Sequence, residues 1–421
     1  MGHIIGKDIY RKLGQKIDGL SLRVPYTPAF AKLLKELYNE DEAELVTKLP
    51  YRPSTIGRIS RTTGISPEKL KPMLDRLCDN GLVFDLWNEK RGQYMYMSVP
   101  FVIGIYEFTL MRTGDPDKSR HWAELLHAYM DEDDIYRANI NQGHMISVMR
   151  TIPHDNPLLF NNYVEIFDYQ KAKTIVENNS SFAIGLCSCR HEAMHMNIKQ
   201  CKTPLETCCS FGPSAEYLIR HKLARRVDKN EMLESLARAQ ESCLVLNADN
   251  VKRRVEYICQ CCSCCCHLIQ GINKHRARPL LVGSGLKPVI DTEICKGCGK
   301  CVKACPVHAL EMKKDENDNV SFTVDTDLCI GCTVCSRTCK FRAISMDKSE
   351  KKVFYPEDGL EKYILSCLER GTLQNLIFDD PQNTTQEFMR TFFGAFLRLK
   401  PVKRALLSDK LRSRFLNFVK G

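Results

Sequence analysis

The sequence predicts an α+β, mostly helical protein built from several domains, and three observations carry that expectation. The chain has 421 residues, 43% hydrophobic and 27% charged, which suits two or three separately cored globular domains. Apolar residues recur at helical spacing over several long stretches, whereas period-two alternation is confined to short runs. Residues 295–339 also repeat themselves at an offset of 34, so one unit is a duplicated supersecondary element.

In chain order, residues 27–38 form the first expected helix. Thr27 is its N-cap, Pro28 takes its first position, and Phe30, Leu33, Leu34 and Leu37 share one face. A helix-turn-helix pattern follows: Thr55–Thr62, a turn at Gly64, then Ser66 capping Pro67–Cys78, closed by Asn80-Gly81. Alternation at Val83–Trp87 and Tyr94–Val99, joined by Asn88–Gly92, predicts a β-hairpin. Together these elements resemble a winged helix, and residues 1–115 are assigned to that N-terminal domain. DNA would be met by Lys69, Lys71 and Arg76 on the second helix and by Lys90 and Arg91 on the hairpin. Leu70, Met73, Leu74 and Leu77 take the core face and Pro72 lacks an N–H inside the helix, so few side chains remain to read bases. DNA is therefore not expected as a partner, and protein docking is.

Residues 116–180 read as a helical linker, with Asp131–Asp134 as a solvated acidic face. Further on, Val227-Asp228-x-x-Glu231-Met232 is a capping box with a hydrophobic staple, opening a helix that reaches about Gln240.

The chain holds 22 cysteines, most of them between 187 and 339. In an oxidising compartment so many thiols would scramble into disulfides, so a reducing cytoplasm is expected. Met1–Gln15 has no apolar h-region, and Gly6 stands where a myristoylation site needs Ser or Thr. The longest apolar run, Val99–Tyr106, contains Pro100 and stops at Glu107, too short for a membrane span.

The repeat is a pair of cysteine motifs. The first reads Cys295-x-x-Cys298-x-x-Cys301-x-x-x-Cys305-Pro306, the second Cys329-x-x-Cys332-x-x-Cys335-x-x-x-Cys339, and the offset also superposes Gly297 on Gly331 and Met312 on Met346. A C-x-x-C-x-x-C loop wraps one face of a cubane and brings three thiolates to three irons, while the glycines let the backbone turn so that N–H groups approach cluster sulfurs. Structural zinc sites use paired C-x-x-C units, not this doubled run. The motifs resemble those of bacterial two-cluster ferredoxins, in which the fourth cysteine serves the other cluster. That resemblance implies a βαβ-repeat domain over residues 291–348 with two 4Fe-4S clusters. Cys295, Cys298, Cys301 and Cys339 would hold one, and Cys329, Cys332, Cys335 and Cys305 the other. Lys340 stands where the first motif has Pro306, which alters that turn and leaves the ligands in place.

A second group of cysteines precedes the repeat: Cys187, Cys189, Cys201, Cys208 and Cys209, then Cys259, Cys261, Cys262, Cys264, Cys265 and Cys266. Eleven thiols exceed the needs of one site, and adjacent cysteines such as Cys261 and Cys262 point apart, so at least one further cluster is expected here and two can be accommodated. Cys187-Ser-Cys189-Arg190 and Cys259-Gln-Cys261-Cys262-Ser-Cys264-Cys265-Cys266 resemble the C-x-C-R and C-N-C-C-x-C-C-C segments of a family of multi-cluster iron-sulfur proteins of anaerobes. Gln260 departs from its asparagine, and Cys209 and Cys243 look like additions. The resemblance implies a cysteine-rich helical domain at 181–290, with Cys187, Cys189, Cys201, Cys208, Cys259, Cys261, Cys262, Cys264, Cys265 and Cys266 as metal ligands. Structural zinc competes for these thiols, because C-x-C and C-x-x-C pairs suit it as well. His191-Glu192-x-x-His195, with Glu216 as third ligand, formally matches a zinc protease. Its position between cluster-type cysteines argues against an open water site, and the histidines are expected near a cluster.

Residues 349–421 are expected to form a basic, amphipathic helical tail, with one helix over Glu361–Phe378 and one or two over Thr385–Lys420. From Gln386 onward nine Lys or Arg face Glu387 and Asp409, with Phe392, Phe393, Phe396, Leu397, Leu399, Leu406, Leu407 and Leu411 between them. Packing on the chain's own core is the favoured reading, and peripheral contact with the inner face of a membrane the other. The expected function is the passage of single electrons through two or more 4Fe-4S clusters, within an anaerobic oxidoreductase complex whose other members include a flavin- or iron-sulfur-containing redox partner. A redox-sensing winged-helix transcription regulator is the second reading, and catalysis at the cysteine-rich cluster the third. No catalytic residue is assigned, and no Rossmann fingerprint, Walker loop or flavin motif is present.

Overall fold

The computed structural model describes residues 8–140, 145–154, 171–314, 320–351 and 353–420. The linker expected over 116–180 therefore lies partly outside the described residues, as does the start of Met1–Gln15 with Gly2 and Gly6. The described residues of Met1–Asn141, Tyr217–Ala224 and Leu360–Gly421 form one unit, and those of Gln142–Glu216 and Arg225–Gly359 form another. The structure is α+β and about half helical. That corrects the expectation of a mostly helical chain.

The first unit opens with α1 (Ile9–Asp18), α2 (Pro28–Leu37) and α3 (Glu40–Lys48). Phe30 N–H donates to Thr27 Oγ1 at 3.2 Å, and Asn39 and Glu42 close a reciprocal box at 2.9 Å on each side, so the orphan donors of both helices are met. Phe30, Leu33, Leu34 and Leu37 are the buried face of α2, as their spacing predicts. Phe30 stacks on Tyr129 at 4.9 Å between centroids and meets Phe101 edge-on at 5.6 Å; burying each such ring contributes roughly 1.5–3 kcal/mol. Next come α4 (Ile56–Thr63), which ends at Gly64 with φ 73°, and α5 (Pro67–Asp79). β1 (Val83–Asn88) then pairs antiparallel with β2 (Gln93–Ser98), Val83 opposite Ser98 and Asn88 opposite Gln93. Lys71 pairs with Asp75 and Arg76 with Glu42, so two of the three basic side chains on α5 are engaged. α6 (Tyr106–Met111), α7 (Pro116–Asp131) and α8 (Asp134–Asn139) follow.

The second unit is built on a seven-stranded sheet. In chain order the elements over residues 149–282 are β3 (Met149–Ile152), α9 (Ala172–Glu177), β4 (Phe182–Leu186), α10 (Ser188–His195), β5 (Glu206–Phe211), α11 (Gly212–Arg220), β6 (Ala224–Val227), α12 (Lys229–Glu241), β7 (Val245–Asp249), β8 (Tyr257–Cys261), α13 (His267–His275) and β9 (Leu281–Val282), and of these α11 from Tyr217 on and Ala224 of β6 belong to the first unit. The strand order is β6-β4-β5-β8-β7-β3-β9. This overturns the helical reading of 181–290 and of 149–152 within the linker. The reason is burial on both faces: β3 and β7 are buried at every position and β4 at all but the last, so no period-two pattern marks them. One face of the sheet packs Ile184, Phe211, Leu246 and Ile258 against Ile175 and Val176 of α9 and Met232 and Leu236 of α12. Asp228 caps α12 by accepting from Glu231 N–H at 2.9 Å, and Val227 and Met232 are both buried in that core, as the staple predicts.

The repeat follows as β10 (Leu286–Ile290), α14 (Lys300–Ala304), β11 (Leu310–Lys314), β12 (Val320–Val324), α15 (Val334–Thr338) and β13 (Ile344–Lys348). β10 pairs antiparallel with β13, and β11 with β12.

The chain then returns to the first unit through α16 (Gly359–Arg370), α17 (Leu373–Ile377), α18 (Thr384–Leu397), α19 (Lys400–Leu407) and α20 (Asp409–Lys420). The single helix expected over 361–378 is broken at Gly371, where φ is 73°. α16 and α17 are core, not tail: Leu365, Leu368 and Leu373 are fully buried. The Arg58 guanidinium grips the Asp379 carboxylate through two hydrogen bonds of 2.8 and 2.9 Å, and Thr372 Oγ1 donates to the Leu20 carbonyl at 2.7 Å. Farther on, Leu397, Leu416 and Val419 are buried while Phe388, Phe392, Phe396 and Phe418 are 70%, 64%, 53% and 80% exposed. Packing of the tail on its own core thus holds for one face of these helices and fails for the phenylalanines. Among the described residues no helix is long and apolar enough to cross a membrane.

Candidate metal centres

The duplication in sequence is also a duplication of backbone conformation. Gly297 and Gly331 have φ of 62° and 66°, Gly299 and Thr333 66° and 65°, His308 and Arg342 52° and 56°. Each pair is separated by the same offset of 34. Asp291 Oδ1 accepts from Glu293 and Ile294 N–H at 2.9 and 3.3 Å, and Asp325 Oδ1 accepts from Asp327 and Leu328 N–H at 2.8 and 3.1 Å. Across the pseudo-twofold, Asp291 N–H donates to the Ala343 carbonyl and Asp325 N–H to that of Ala309, both at 2.8 Å. These aspartates, which open each cysteine loop, were not singled out in sequence, although the offset superposes them.

Two small cavities result, each of about 20 Å³. Cys295, Cys298, Cys301 and Cys339 line one, with Phe322, Phe341 and Ile344. Cys305, Cys329, Cys332 and Cys335 line the other, with Pro288, Val307, Leu310 and Met346. The fourth cysteine of each motif therefore stands with the first three of the other motif. Backbone donors already point at sulfur: Gly297 N–H to Cys295 Sγ at 3.4 Å and Ala309 N–H to Cys305 Sγ at 3.2 Å. A Cβ at Gly331 would meet Ser284 Oγ and lie 2.7 Å from the Leu286 carbonyl oxygen, so this loop admits no side chain. Burial pushes the Cys332 and Cys335 thiols up, and a bound cation would be needed to hold them as thiolates. Four thiolates around an apolar cavity, met by backbone donors, fit a 4Fe-4S cluster.

The other face of the seven-stranded sheet carries sulfur. Cys208 on β5 stands directly opposite Cys259 on β8, and Cys259 opposite Asn247 on β7. Cys259 interacts with Cys208 and Cys261, Cys261 with Cys266, and Cys266 with Cys189, with Cys187 beside them. Six of the ten expected ligands thus meet in one group. Cys187 and Cys266 occupy the N-cap positions of α10 and α13, where the helix dipoles favour anionic sulfur. Cys209 faces the opposite way, fully buried in the apolar core with its sulfur near Ser235 Oγ and Gln260 Nε2. It takes no part in the group.

The remaining four, Cys201, Cys262, Cys264 and Cys265, close into a separate group whose sulfurs all lie within 4.8 Å of one another. Beside both groups sits Arg190, fully buried, donating to Thr207 Oγ1 and to the Gln260 carbonyl. Its guanidinium faces Cys187, Cys261 and Cys262 and is the counter-charge for their sulfurs. Hydrogen bonding from Cys265 pulls the Cys262 thiol down to about 4 against the cost of burial, and Arg190 lowers it further. Sequence reasoning quoted Arg190 in its motif but gave it no role; a charged residue directly after a C-x-C pair was the available signal.

The protease-like motif is built otherwise. Glu192, nearly fully buried, pairs with His267 at 2.8 Å, His191 and His195 face each other with Nε2 atoms 3.0 Å apart, and Glu216 pairs with Arg226 at 2.7 Å. Among the described residues these side chains form no group that closes on one ion.

The family model of the 4Fe-4S dicluster domain matches residues 294–343. The chain therefore carries a ferredoxin-type iron-sulfur domain over the stretch that forms the two cavities. No curated protein and no solved structure matches the chain.

Proposed function

We propose that this chain is an electron-transfer protein holding two 4Fe-4S clusters in its duplicated module and a further cluster on the sulfur face of its sheet. The observation that supports this reading most is the sorting of the eight module cysteines into two sets of four around separate cavities. When bound, each cluster supplies a one-electron store of low potential. Cys295, Cys298, Cys301 and Cys339 hold the first, and Cys329, Cys332, Cys335 and Cys305 the second. Phe322, Phe341, Leu310 and Met346 give the cavities an apolar lining, while Gly297 and Ala309 N–H groups soften the charge on two of the sulfurs. The thiolates of the further cluster come from among Cys187, Cys189, Cys208, Cys259, Cys261 and Cys266, with Arg190 offsetting their charge.

Fully thiolate-ligated clusters leave no open iron for an ordinary organic substrate. The chain accordingly works with a redox protein, flavin- or iron-sulfur-containing, as one subunit of an oxidoreductase in a reducing cytoplasm. α4, α5, β1 and β2 follow one another as in a winged helix, which we read as a docking module; the ion pairs of Lys71 and Arg76 support leaving DNA aside. The phenylalanines of α18 sit at 388, 392 and 396, one stripe on one helix face, among the basic residues of the tail, and this supports contact with an anionic membrane surface.

Iron and sulfide analysis with a potentiometric titration of the anaerobically purified full chain tests the reading. Wild type should show two reversible one-electron centres in the module, and Cys298→Ser or Cys332→Ser should each remove about four irons. A protein that holds fewer than eight irons, or cannot be reduced reversibly, sinks it.

A further inference from the structure

The ten expected ligands ahead of the module divide into six and four, and the smaller group differs from a cluster site in one measurable respect. Its sulfurs are too close together. Cys201 Sγ lies 3.6 Å from Cys262 Sγ and 4.0 Å from Cys265 Sγ, and Cys264 Sγ lies 3.6 Å from Cys262 Sγ and 3.5 Å from Cys265 Sγ. Four sulfurs about 2.3 Å from one tetrahedral zinc stand about 3.8 Å apart. Four sulfurs on the outer corners of a cubane stand roughly 6 Å apart, because each caps a different iron. A two-iron cluster splits its ligands into two distant pairs, whereas here all four sulfurs lie within 4.8 Å of one another. The module offers a control within the same chain: among the described residues, the cysteines around its two cavities form no such tight group.

We infer that Cys201, Cys262, Cys264 and Cys265 bind a single zinc ion in a closed tetrahedral site, apart from the iron-sulfur clusters. The chain pattern agrees, since Cys262-Ser-Cys264-Cys265 contains a C-x-x-C pair, and Cys201 arrives from the loop between α10 and β5. Four thiolates leave no coordination position for water or substrate, so the ion is structural. Zinc is favoured over a lone ferrous iron because a given sulfur site binds it more tightly. The ion would tie the 196–205 loop to the segment that carries Cys259, Cys261 and Cys266 and so fix the frame of the six-thiol group. Arg190, beside Cys262, offsets part of the double negative charge of a zinc tetrathiolate. This inference does not depend on the electron-transfer reading.

Zinc and iron analysis of the anaerobically purified full chain, with X-ray absorption at the zinc edge, tests it. The expected result is one zinc per chain surrounded by four sulfurs at about 2.3 Å. Cys264→Ser, at one of the three half-buried members of the set, should release that zinc and leave iron and sulfide unchanged. Absence of zinc from wild type, a single iron in its place, or a loss of about four irons in Cys264→Ser would overturn the assignment. The absorption spectrum of wild type decides the matter even if the variant fails to fold.

Discussion

The backbone N–H of His154 donates to the hydroxyl of Thr333 at 2.9 Å, joining the chain beyond β3 to the residue that opens α15. Thr333 has φ 65° where the first repeat has Gly299 at 66°, so a β-branched side chain holds a backbone shape that glycine takes freely. Its hydroxyl also donates to the Cys332 carbonyl at 2.6 Å, and the two bonds offset the strain. The second cavity is thereby fastened to the sheet in a way the first is not.

Thr333→Val keeps the shape and removes both bonds, leaving a buried N–H unmet at a cost of about 1–3 kcal/mol. The variant should lose iron from the second site first, retaining about four irons in the module. Equal loss from both sites would show that the hydroxyl does not hold this loop.

His154 also gives stability an acid limb. Burial pushes its imidazole down to about 4, with Arg337 adding to the effect and the hydrogen bond to the Leu244 carbonyl opposing it. The unfolded chain takes up this proton near pH 6.5 and the folded chain does not, so stability is full above about 6.5 and falls as pH drops toward 4, by up to about 3 kcal/mol. His154→Gln should flatten that limb, read as a smaller difference in thermal midpoint between pH 8 and pH 5.

Arg190→Met replaces a buried cation with a chain of similar length. It strands the Thr207 hydroxyl and the Gln260 carbonyl and removes the charge facing Cys187, Cys261 and Cys262. Breaking a buried charge arrangement of this kind costs about 3–5 kcal/mol. The expected outcome is a lower thermal midpoint and loss of metal from residues 187–266, with the eight irons of the module retained.

The exposed stripe of α18 gives a binding prediction. Changing Phe388, Phe392 and Phe396 together to Ser removes only side chains more than half exposed, so metal content and thermal midpoint should stay within error of wild type. Sedimentation with anionic vesicles should fall at least tenfold, while neutral vesicles bind neither protein. Undiminished sedimentation would leave the basic residues alone responsible.

Local signals were legible in the sequence and long-range ones were not. The caps at Thr27 and Asp228 and the hairpin of 83–98 depend on neighbours a few residues away, and the resemblance of the motifs to bacterial two-cluster ferredoxins anticipated which module cysteines share a cavity. The seven-stranded sheet was hidden because strands buried on both faces lose their alternation, and because Cys208 and Cys259 were counted only as ligands although they form a cross-strand pair. The split of ten thiols into six and four depends on the meeting of residues some sixty positions apart, Cys201 with Cys262 above all, which spacing does not encode. Nor does spacing announce that Asp379 returns to Arg58 across 321 positions.

That return has a bearing on the order in which the protein is made. The first unit takes its members from both ends of the sequence, so every cysteine from 187 to 339 leaves the ribosome before the segment that completes it, residues 360–421. Domains fold largely as they emerge, N-terminal parts first. The unit that carries these cysteines thus emerges in full during synthesis while the first unit is still incomplete. A premature stop after residue 359 would release a chain whose metal sites are whole and whose first unit is left without α16 and α17 in its core.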